Sequence, residues 1–228
     1  MNFITLSVID VTIDRSIRLN HPIDELSHVV GSCNGLLCLA DKANELYLWN
    51  PVTRQIKDMN GYKYTVVKNS DDDISVAFGF GFDPASSDYK AVRIVQKFDD
   101  NELVNRVEVY SLNEDCWKEI NVELEIGLVD EPLCREVTGV NGSIYWFARK
   151  RPHDFGLVVL SFHMHSLNFC TIQLPDDLSL SPFYRWYDHE IGILQFKEYV
   201  ALCCQFRGGC VIYTLLDGNC WCKNIYDC

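Results

Sequence analysis

Short runs of alternating apolar and polar residues, separated by turn residues, fill nearly the whole chain. This pattern predicts consecutive antiparallel strands, and no long stretch has a helical period. Asn-Gly pairs at positions 34–35 and 141–142 stand between such runs and predict tight hairpin turns. From residue 29 onwards the runs fall into groups of four predicted strands, which occupy approximately residues 29–59, 76–120, 136–174 and 189–226.

Residues 1–28 precede the first group of four predicted strands and are interpreted as a lead-in segment. Within it, the apolar alternation predicts one strand from Phe3 to Asp14. The alternation changes phase at Val8 and Ile9, and a β-bulge at that point would absorb the change.

Aromatic residues recur at matching places in the groups. The third predicted strands carry Trp49, Tyr110, Phe162 and Tyr213, and three of the fourth strands carry Trp117, Phe169 and Trp221. A four-stranded unit that repeats every fifty to sixty residues or so is close to the kelch period of about 50 and forms one blade of a β-propeller. We therefore predict an all-β, kelch-like β-propeller with about four four-stranded blades in an incomplete ring. A β-sandwich, the alternative, does not need matching aromatic residues in successive units.

The charge narrows the range of partners. The chain has 20 basic and 32 acidic residues, which gives a formal net charge of −12. An acidic surface disfavours nucleic acids and anionic membranes as partners, because both attract proteins through a positive field. The same charge favours a basic protein partner, and it also serves solubility alone. No apolar run reaches the length of about 20 residues that a membrane helix needs.

The chemistry-bearing residues form no recognisable catalytic or metal site. The 11 cysteines lack the paired spacing of zinc sites and are interpreted as reduced, small core residues. His163 and His165 alternate on a predicted strand, but no third metal ligand follows them. Gly79 and Gly81 lie in a strand pattern, so they indicate close packing near the propeller axis rather than a phosphate loop. We predict no enzymatic activity, no cofactor and no metal.

Irregular loops are the expected places of partner contact, because loops on a rigid scaffold carry recognition. Three segments stand out, namely the polar loop 60–75, the basic cluster at 149–155 and the aromatic segment 182–188. Aromatic and arginine side chains are enriched at binding hot spots. The predicted partner-binding residues are Tyr62, Tyr64, Arg149, Lys150, Arg151, Tyr184, Arg185 and Trp186.

Four longer motifs follow one another along the chain. They are GSCNGLLCL at Gly31–Leu39, LYLWNPVTRQ at Leu46–Gln55, FGFGFDPASSDYKAVRIV at Phe78–Val95 and VEVYSLNEDCWKEI at Val107–Ile120. As an ordered set they resemble the associated domain of plant F-box proteins, including the S-locus F-box type. The later segment VNGSIYWFA is similar to a further unit of that domain. The resemblance covers nearly all of residues 25–228 and fades toward the C-terminus.

The resemblance implies a protein-protein interaction domain that recognises the substrate of an SCF-type E3 ubiquitin ligase. In that family an N-terminal F-box binds a Skp-type adaptor, and residues 1–22 show no F-box signature, so adaptor binding is expected only if an F-box lies upstream. One alternative is a truncated form or decoy that binds substrate without ligase coupling. Another is a kelch-type enzyme or glycan binder, since fold does not fix function. The expected location is cytoplasmic or nuclear, and the S-locus resemblance implies a basic ribonuclease of the pistil as substrate.

Overall fold

The computed structural model describes residues 3–10, 13–20, 23, 25–60, 74–99, 102–122, 124, 126–128, 138–150, 156–179, 190–206, 209–216 and 220–227. These residues form strands almost throughout, together with one short helix, α1 (Asp176–Ser179). No helix in this part of the chain is long and apolar enough to cross a membrane.

The first two strands form a hairpin of their own. β1 (Phe3–Asp10) pairs antiparallel with β2 (Ile13–Asn20). The prediction of a single strand from Phe3 to Asp14 is therefore wrong, because the chain reverses direction between β1 and β2. Val8 and Ile9, where the alternation changes phase, pair without a register shift, so no bulge lies there.

Two four-stranded antiparallel sheets come next, and each forms one blade. Blade 1 consists of β3 (Leu26–Cys33), β4 (Leu36–Asp41), β5 (Leu46–Asn50) and β6 (Gln55–Asp58). Blade 2 consists of β7 (Ile74–Asp83), β8 (Asp88–Asp99), β9 (Glu102–Ser111) and β10 (Cys116–Ile120). In both blades each strand pairs with the strand that follows it in the chain.

The second half of the chain repeats this arrangement with one addition. Blade 3 begins with the two-residue strand β11 (Gly127–Leu128) and continues with β12 (Thr138–Val140), β13 (Ser143–Arg149), β14 (Leu157–His163) and β15 (Asn168–Gln173). β11 and β12 pair with opposite ends of β13. Blade 4 consists of β16 (Glu190–Phe196), β17 (Tyr199–Phe206), β18 (Gly209–Leu216) and β19 (Cys220–Asp227).

The first full strands of the blades face a common centre. β3 contacts β7, β7 contacts β12, and β12 contacts both β16 and β3. Among the described residues this is a four-bladed propeller arrangement that does not close into a ring. The predicted β-propeller fold is confirmed.

Apolar clusters fill the interfaces between neighbouring blades, and the third-strand aromatic residues belong to them. Tyr110 packs in the cluster between blades 1 and 2, Phe162 in that between blades 2 and 3, and Tyr213 in that between blades 3 and 4. Each therefore faces the preceding blade, and Trp49 is buried on the corresponding face of blade 1. Burial of apolar surface contributes about 25 cal/mol per Å² to stability, so these rings are major links between blades.

Glycine in β7 lets blades 2 and 3 approach each other closely. A Cβ atom on Gly79 would lie 2.5 Å from Cζ2 of Trp146 and 2.7 Å from Cγ2 of Ile144. The Trp146 indole N–H donates a hydrogen bond of 2.7 Å to the carbonyl of Phe78, which fixes the ring against this strand. The expectation that Gly79 permits close packing is confirmed.

The FDPASSDYK motif forms a turn that is tied to blade 3. The buried carboxylate of Asp83 accepts hydrogen bonds from the Ser86 hydroxyl at 2.6 Å and the Ala85 N–H at 3.0 Å. Lys90 donates to Asp83 at 2.7 Å and to the carbonyl of Met164, in blade 3, at 2.8 Å. Burial raises the pKa of Asp83, but the hydrogen bonds from Lys90 and Ser86 outweigh it and hold the pKa well below its usual range. The motif therefore has a structural role.

Candidate functional site

Two of the eight predicted partner-binding residues lie in the described part of the chain. Arg149 ends β13 and is half-buried, and Lys150 follows it and is exposed. The Lys150 N–H donates a hydrogen bond of 3.0 Å to the carbonyl of Gly156, which closes the base of the loop between β13 and β14. Outside the described residues lie Tyr62, Tyr64, Arg151, Tyr184, Arg185 and Trp186, whose contribution to a site stays a prediction.

The two ends of the blades differ in their connections. In an antiparallel meander, the turns between the first and second strands and between the third and fourth strands lie at one end, here called the hairpin end. The second-to-third-strand turns and the connections between blades lie at the other, the linker end. Segment 149–155 joins β13 to β14, and segments 60–75 and 182–188 join successive blades. The strands that flank all three predicted segments therefore end at the linker end.

A groove of about 850 Å³ opens at the opposite, hairpin end, between blades 3 and 4. Three turns frame it, with Asn141 between β12 and β13, Ser166 between β14 and β15, and Glu198 between β16 and β17. The side-chain amide of Asn141 donates a hydrogen bond of 2.7 Å to the carbonyl of Glu198, which ties the two blades together at the rim. Ligand sites typically have volumes of about 300 to 1,000 Å³, so the groove is large enough to bind a ligand.

The groove exists because blade 3 has a small polar residue where other blades have aliphatic ones. The residue before the third-strand aromatic is Leu48 in blade 1, Val109 in blade 2 and Ser161 in blade 3. Leu48 and Val109 are buried in the clusters between blades, whereas Ser161 is half-buried and lines the groove. Its partner on β15, Cys170, lines the groove as well. A serine cannot fill the space that a leucine fills, so the gap is encoded in the sequence.

At the mouth of the groove, too, blade 3 has a shorter side chain than the equivalent position of blade 2. By strand register, Ser143 on β13 holds the position that Lys90 holds on β8. Lys90 spans the interface between blades 2 and 3 and reaches the carbonyl of Met164. Ser143 has a much shorter side chain and instead lines the open space between blades 3 and 4.

Residues with hydrogen-bonding side chains line much of the blade 3 wall, namely Ser143, Tyr145, Ser161, His163, Ser166 and Asn168. Burial raises the pKa of Tyr145, so its phenol keeps its proton and can donate a hydrogen bond. His163 Nδ1 lies 2.9 Å from Ser166 Oγ, which in turn donates to Asn168 Oδ1 at 2.5 Å, so this turn is internally fixed. Blade 4 supplies the opposite wall with Glu198, Tyr199, Val200 and Leu215.

The potential metal-binding side chains of the described residues do not converge at the groove. In the part of the chain that the structure describes, no group of three or more His, Cys, Asp or Glu side chains could hold a metal ion. His163 contacts Ser166, whereas His165 Nδ1 lies 3.4 Å from Asp83 Oδ2, so the two histidines do not converge. The described cysteines are free thiols, and burial raises the pKa of Cys204 to about 12, which keeps that thiol protonated in the core.

The strands that flank the predicted partner-binding segments end at the linker end, whereas the groove opens at the hairpin end. A signal for it was nevertheless present. The residue before the third-strand aromatic is aliphatic in blades 1, 2 and 4, as Leu48, Val109 and Ile212, and polar in blade 3, as Ser161. The repeat that predicted the blades thus also marks the blade whose packing differs.

Comparison with known proteins identifies similar sequences. The family described as "F-box associated beta propeller domain" matches residues 2–185. The F-box/kelch-repeat protein At3g23880 of Arabidopsis thaliana is 33% identical over 131 residues, which cover 57% of this chain and 34% of that protein. The F-box protein CPR1 of the same plant is 30% identical over 182 residues, which cover 72% of this chain and 44% of that protein.

The chain spans less than half the length of these two relatives. Partners and activities of the whole relatives therefore bear on this chain only as proposals. Among solved structures, TolB from Acinetobacter baumannii superposes with a TM-score of 0.48 at 8% identity, over 98% of this chain and 48% of that one. That likeness is too weak to carry an argument about function.

Proposed function

We propose that this chain, which belongs to the F-box-associated β-propeller family, is the substrate-recognition part of an SCF-type ubiquitin ligase. In this proposal it binds a protein substrate in the groove between blades 3 and 4 and performs no chemistry itself. Coupling to the ligase requires an F-box and a Skp-type adaptor. The proposal includes a basic substrate, in keeping with the net charge of −12, and a cytoplasmic or nuclear location.

The observation that supports a binding site here is the loss of packing at one interface. Ser161 stands where Leu48 and Val109 fill the other interfaces. Burying such an aliphatic side chain contributes about 1.5 to 3 kcal/mol, so this position forgoes a substantial stabilising contact. Ordered strands of two blades hold the walls of the resulting groove, as a specific binding site requires.

An F-box fusion tests this proposal. An F-box joined ahead of residue 1 supplies the adaptor-binding element, and the fusion is expressed in plant cells with the proteasome inhibited. We expect ubiquitin-modified peptides from a limited set of proteins to increase relative to the F-box alone. An excess of the chain without the F-box is expected to bind the same substrates and to lower their ubiquitination. Quantitative mass spectrometry of ubiquitin-remnant peptides measures both effects.

Ser161→Leu is the matched test of the groove. Leucine fills the space as Leu48 does in blade 1, so the variant should fold at least as stably as the original chain. Its fusion is expected to lose substrate ubiquitination by about tenfold or more, which corresponds to about 1.4 kcal/mol of binding. Ser161→Ala keeps the space open and should retain ubiquitination. A Ser161→Leu fusion that modifies the same proteins, or an original fusion that modifies none, contradicts the proposal.

A further inference from the structure

The outermost strand of blade 3 has one edge with no neighbour among the described strands. β15 pairs with β14 on its other side and is the last strand in the order of its sheet. The outer strands of blades 1, 2 and 4 carry charged residues, namely Lys57 and Asp58, Lys118 and Glu119, and Lys223 and Asp227. β15, with the sequence NFCTIQ, carries none. Charged side chains keep a sheet edge from pairing with another chain, so β15 lacks a protection that the other outer strands have.

The main-chain groups of alternate residues of β15 point toward this open edge. In an antiparallel pair, successive residues direct their N–H and C=O groups alternately toward the partner strand and away from it. The Ser161 hydroxyl on β14 donates a hydrogen bond of 3.3 Å to the carbonyl of Cys170, so that carbonyl faces β14. Phe169 and Thr171, on either side of it, therefore direct their main-chain groups outward. The carbonyl of Gln173, the next residue in this outward set, accepts a bond of 2.7 Å from a tryptophan of blade 4.

The groove between blades 3 and 4 reaches this edge, because the five consecutive residues 168–172 of β15 line it. Side chains alternate between the two faces of a strand. Phe169 packs on the face toward blade 2, with its ring centroid 4.6 Å from that of Phe162. Thr171 lies opposite Leu160, which belongs to the same cluster between blades 2 and 3. Phe169 and Thr171 therefore line the groove with their main chain, where their outward N–H and C=O groups lie.

We infer that the groove binds an extended segment of the substrate as an added strand, which pairs with the outer edge of β15. Outward N–H and C=O groups at alternating positions match the main chain of another strand, and sheet edges bind peptides in this way. This inference rests on the proposed function, because it names how the substrate is held.

An added strand directs alternate side chains into the groove. Its residues beside Cys170 lie on the same face of the sheet as Ser161. Ile172, Val200 and Leu215 line the groove and belong to the apolar cluster between blades 3 and 4. An aliphatic side chain of the substrate buries apolar surface against them, which is favourable. We therefore expect a segment of alternating aliphatic and polar residues, with basic residues at its ends to suit the net charge of −12.

A short peptide tests the inference. The acetylated amide Lys-Thr-Leu-Thr-Leu-Thr-Lys is titrated into the isotope-labelled chain, and amide chemical shifts give the Kd. One derivative carries N-methyl groups on the threonines and another on the leucines. Alternate N–H groups of a strand face opposite sides, so one derivative loses its bonds to β15 and the other keeps them. We expect the first to bind at least about tenfold more weakly than the parent and the second to match it. Equal Kd values for the two derivatives, or a parent peptide that does not bind, overturn the inference.

Hydrogen exchange locates the binding on β15. In the free chain the amides of Phe169 and Thr171 should exchange quickly, whereas those of Cys170 and Ile172, which face β14, should exchange slowly. Bound peptide should slow exchange at Phe169 and Thr171 by at least about tenfold. Slow exchange at both positions without peptide would show that the edge is already paired. That result overturns the inference, and so does exchange that the peptide leaves unchanged.

Thr171→Pro removes one outward N–H group from the edge. Proline is tolerated on an edge strand where its nitrogen faces away from the ladder, so the variant should fold. Its affinity for the peptide should fall by at least about tenfold, whereas Thr171→Val keeps the N–H and should bind like the original chain. Binding that Thr171→Pro leaves unchanged overturns the inference. Should Thr171→Pro fail to fold, the N-methylated peptides and hydrogen exchange decide.

Failure of this inference is separable from failure of the ligase proposal. Ubiquitination by the F-box fusion that Ser161→Leu removes and Thr171→Pro leaves intact overturns the inference alone. Peptide binding with the expected pattern, but without ubiquitination by the fusion, overturns the ligase role alone. A second copy of the chain is the other candidate occupant of the edge. A dimer in light scattering that Thr171→Pro converts to monomers would assign the edge to self-association and overturn the inference.

Discussion

Glu108→Ala is expected to lower the free energy of unfolding by about 3 to 5 kcal/mol, because it leaves a buried guanidinium without its carboxylate. Arg93 is 9% exposed and Glu108 5%, and they lie directly opposite each other on β8 and β9. Arg93 donates to Glu108 through Nε at 2.7 Å and through Nη2 at 2.5 Å. Arg106 Nη2 lies 3.0 Å from the other carboxylate oxygen. Urea unfolding followed by tryptophan fluorescence measures the loss.

Glu119→Ala is the matched control for that experiment. Glu119 also pairs with Arg106, at 2.9 Å, but its side chain is 57% exposed. Exposed ion pairs contribute at most about 1 kcal/mol, so this variant should change stability little. Replacing both Arg93 and Glu108 with leucine should recover most of the loss, because no unpaired charge then remains at these two positions. Losses of equal size for Glu108→Ala and Glu119→Ala would show that burial of the pair contributes nothing.

Gly79→Ala is expected to lower the free energy of unfolding by about 3 kcal/mol, at the upper end of the range for overpacked cores. The new Cβ would lie 2.5 Å from Cζ2 of Trp146, well inside van der Waals contact. The indole cannot move away without losing its hydrogen bond to the carbonyl of Phe78. Blades 2 and 3 must therefore separate or the ring must leave its position, and thermal and urea unfolding both report the result.

Gly31→Ala separates this steric effect from the general effect of replacing glycine in a strand. A Cβ on Gly31 would have its closest contacts at 3.5 Å, with Cβ and the carbonyl oxygen of Phe80. Such distances are ordinary, and removing a glycine from a strand is favourable by up to about 1 kcal/mol. Gly31→Ala should thus be neutral or mildly stabilising. If Gly79→Ala behaves in the same way, the close approach of Trp146 does not limit the packing of these blades.

Features that depend on local chemistry could be predicted from the sequence. Asn-Gly at 34–35 and 141–142 was expected to form tight turns, and Asn34 and Asn141 have φ values of 49° and 50°. The following Gly35 and Gly142 have φ values of 80° and 76°, so both pairs adopt the left-handed conformations that a two-residue hairpin turn requires. The period-two alternation of apolar residues likewise predicted strands, because each blade buries its two faces against different neighbours.

Features that depend on strand length were harder to predict. The spacing of the repeats predicts that Trp117 and Trp221 occupy equivalent positions in their blades. In blade 2, Trp117 lies opposite the third-strand aromatic residue, Tyr110. In blade 4, Trp221 lies opposite Leu215 instead, two residues beyond Tyr213, because β18 continues to Leu216. The alternation of side chains cannot distinguish a shift of two residues, since a shift of two keeps every residue on its own face.

Both tryptophans nevertheless link their blade to the preceding one. The Trp117 indole N–H donates to the carbonyl of Met59, just after β6, at 2.5 Å. The Trp221 indole N–H donates to the carbonyl of Gln173, at the end of β15, at 2.7 Å. The repeated position therefore predicted the role of Trp221 between blades, although the register within its own sheet differs.

The groove was hardest to predict, because it depends on what the next blade leaves uncovered. Ser161 considered alone is an ordinary polar residue in an apolar strand. It indicates a gap only when it is compared with Leu48 and Val109, which fill the same position at the other interfaces. Alternation within one strand gives the face on which a residue lies, but it does not give the distance to the facing blade.

The most direct test of the account is photo-crosslinking from the two ends of the propeller. A photoreactive amino acid replaces either Cys170, which is exposed and pairs with Ser161 on the wall of the groove, or Lys150, which is exposed at the linker end. Each variant is carried in the F-box fusion and irradiated in plant cells. We expect covalent adducts from position 170, and not from position 150, with the proteins that the fusion ubiquitinates. Adducts from position 150 alone would contradict it and would place recognition on the linker-end loops.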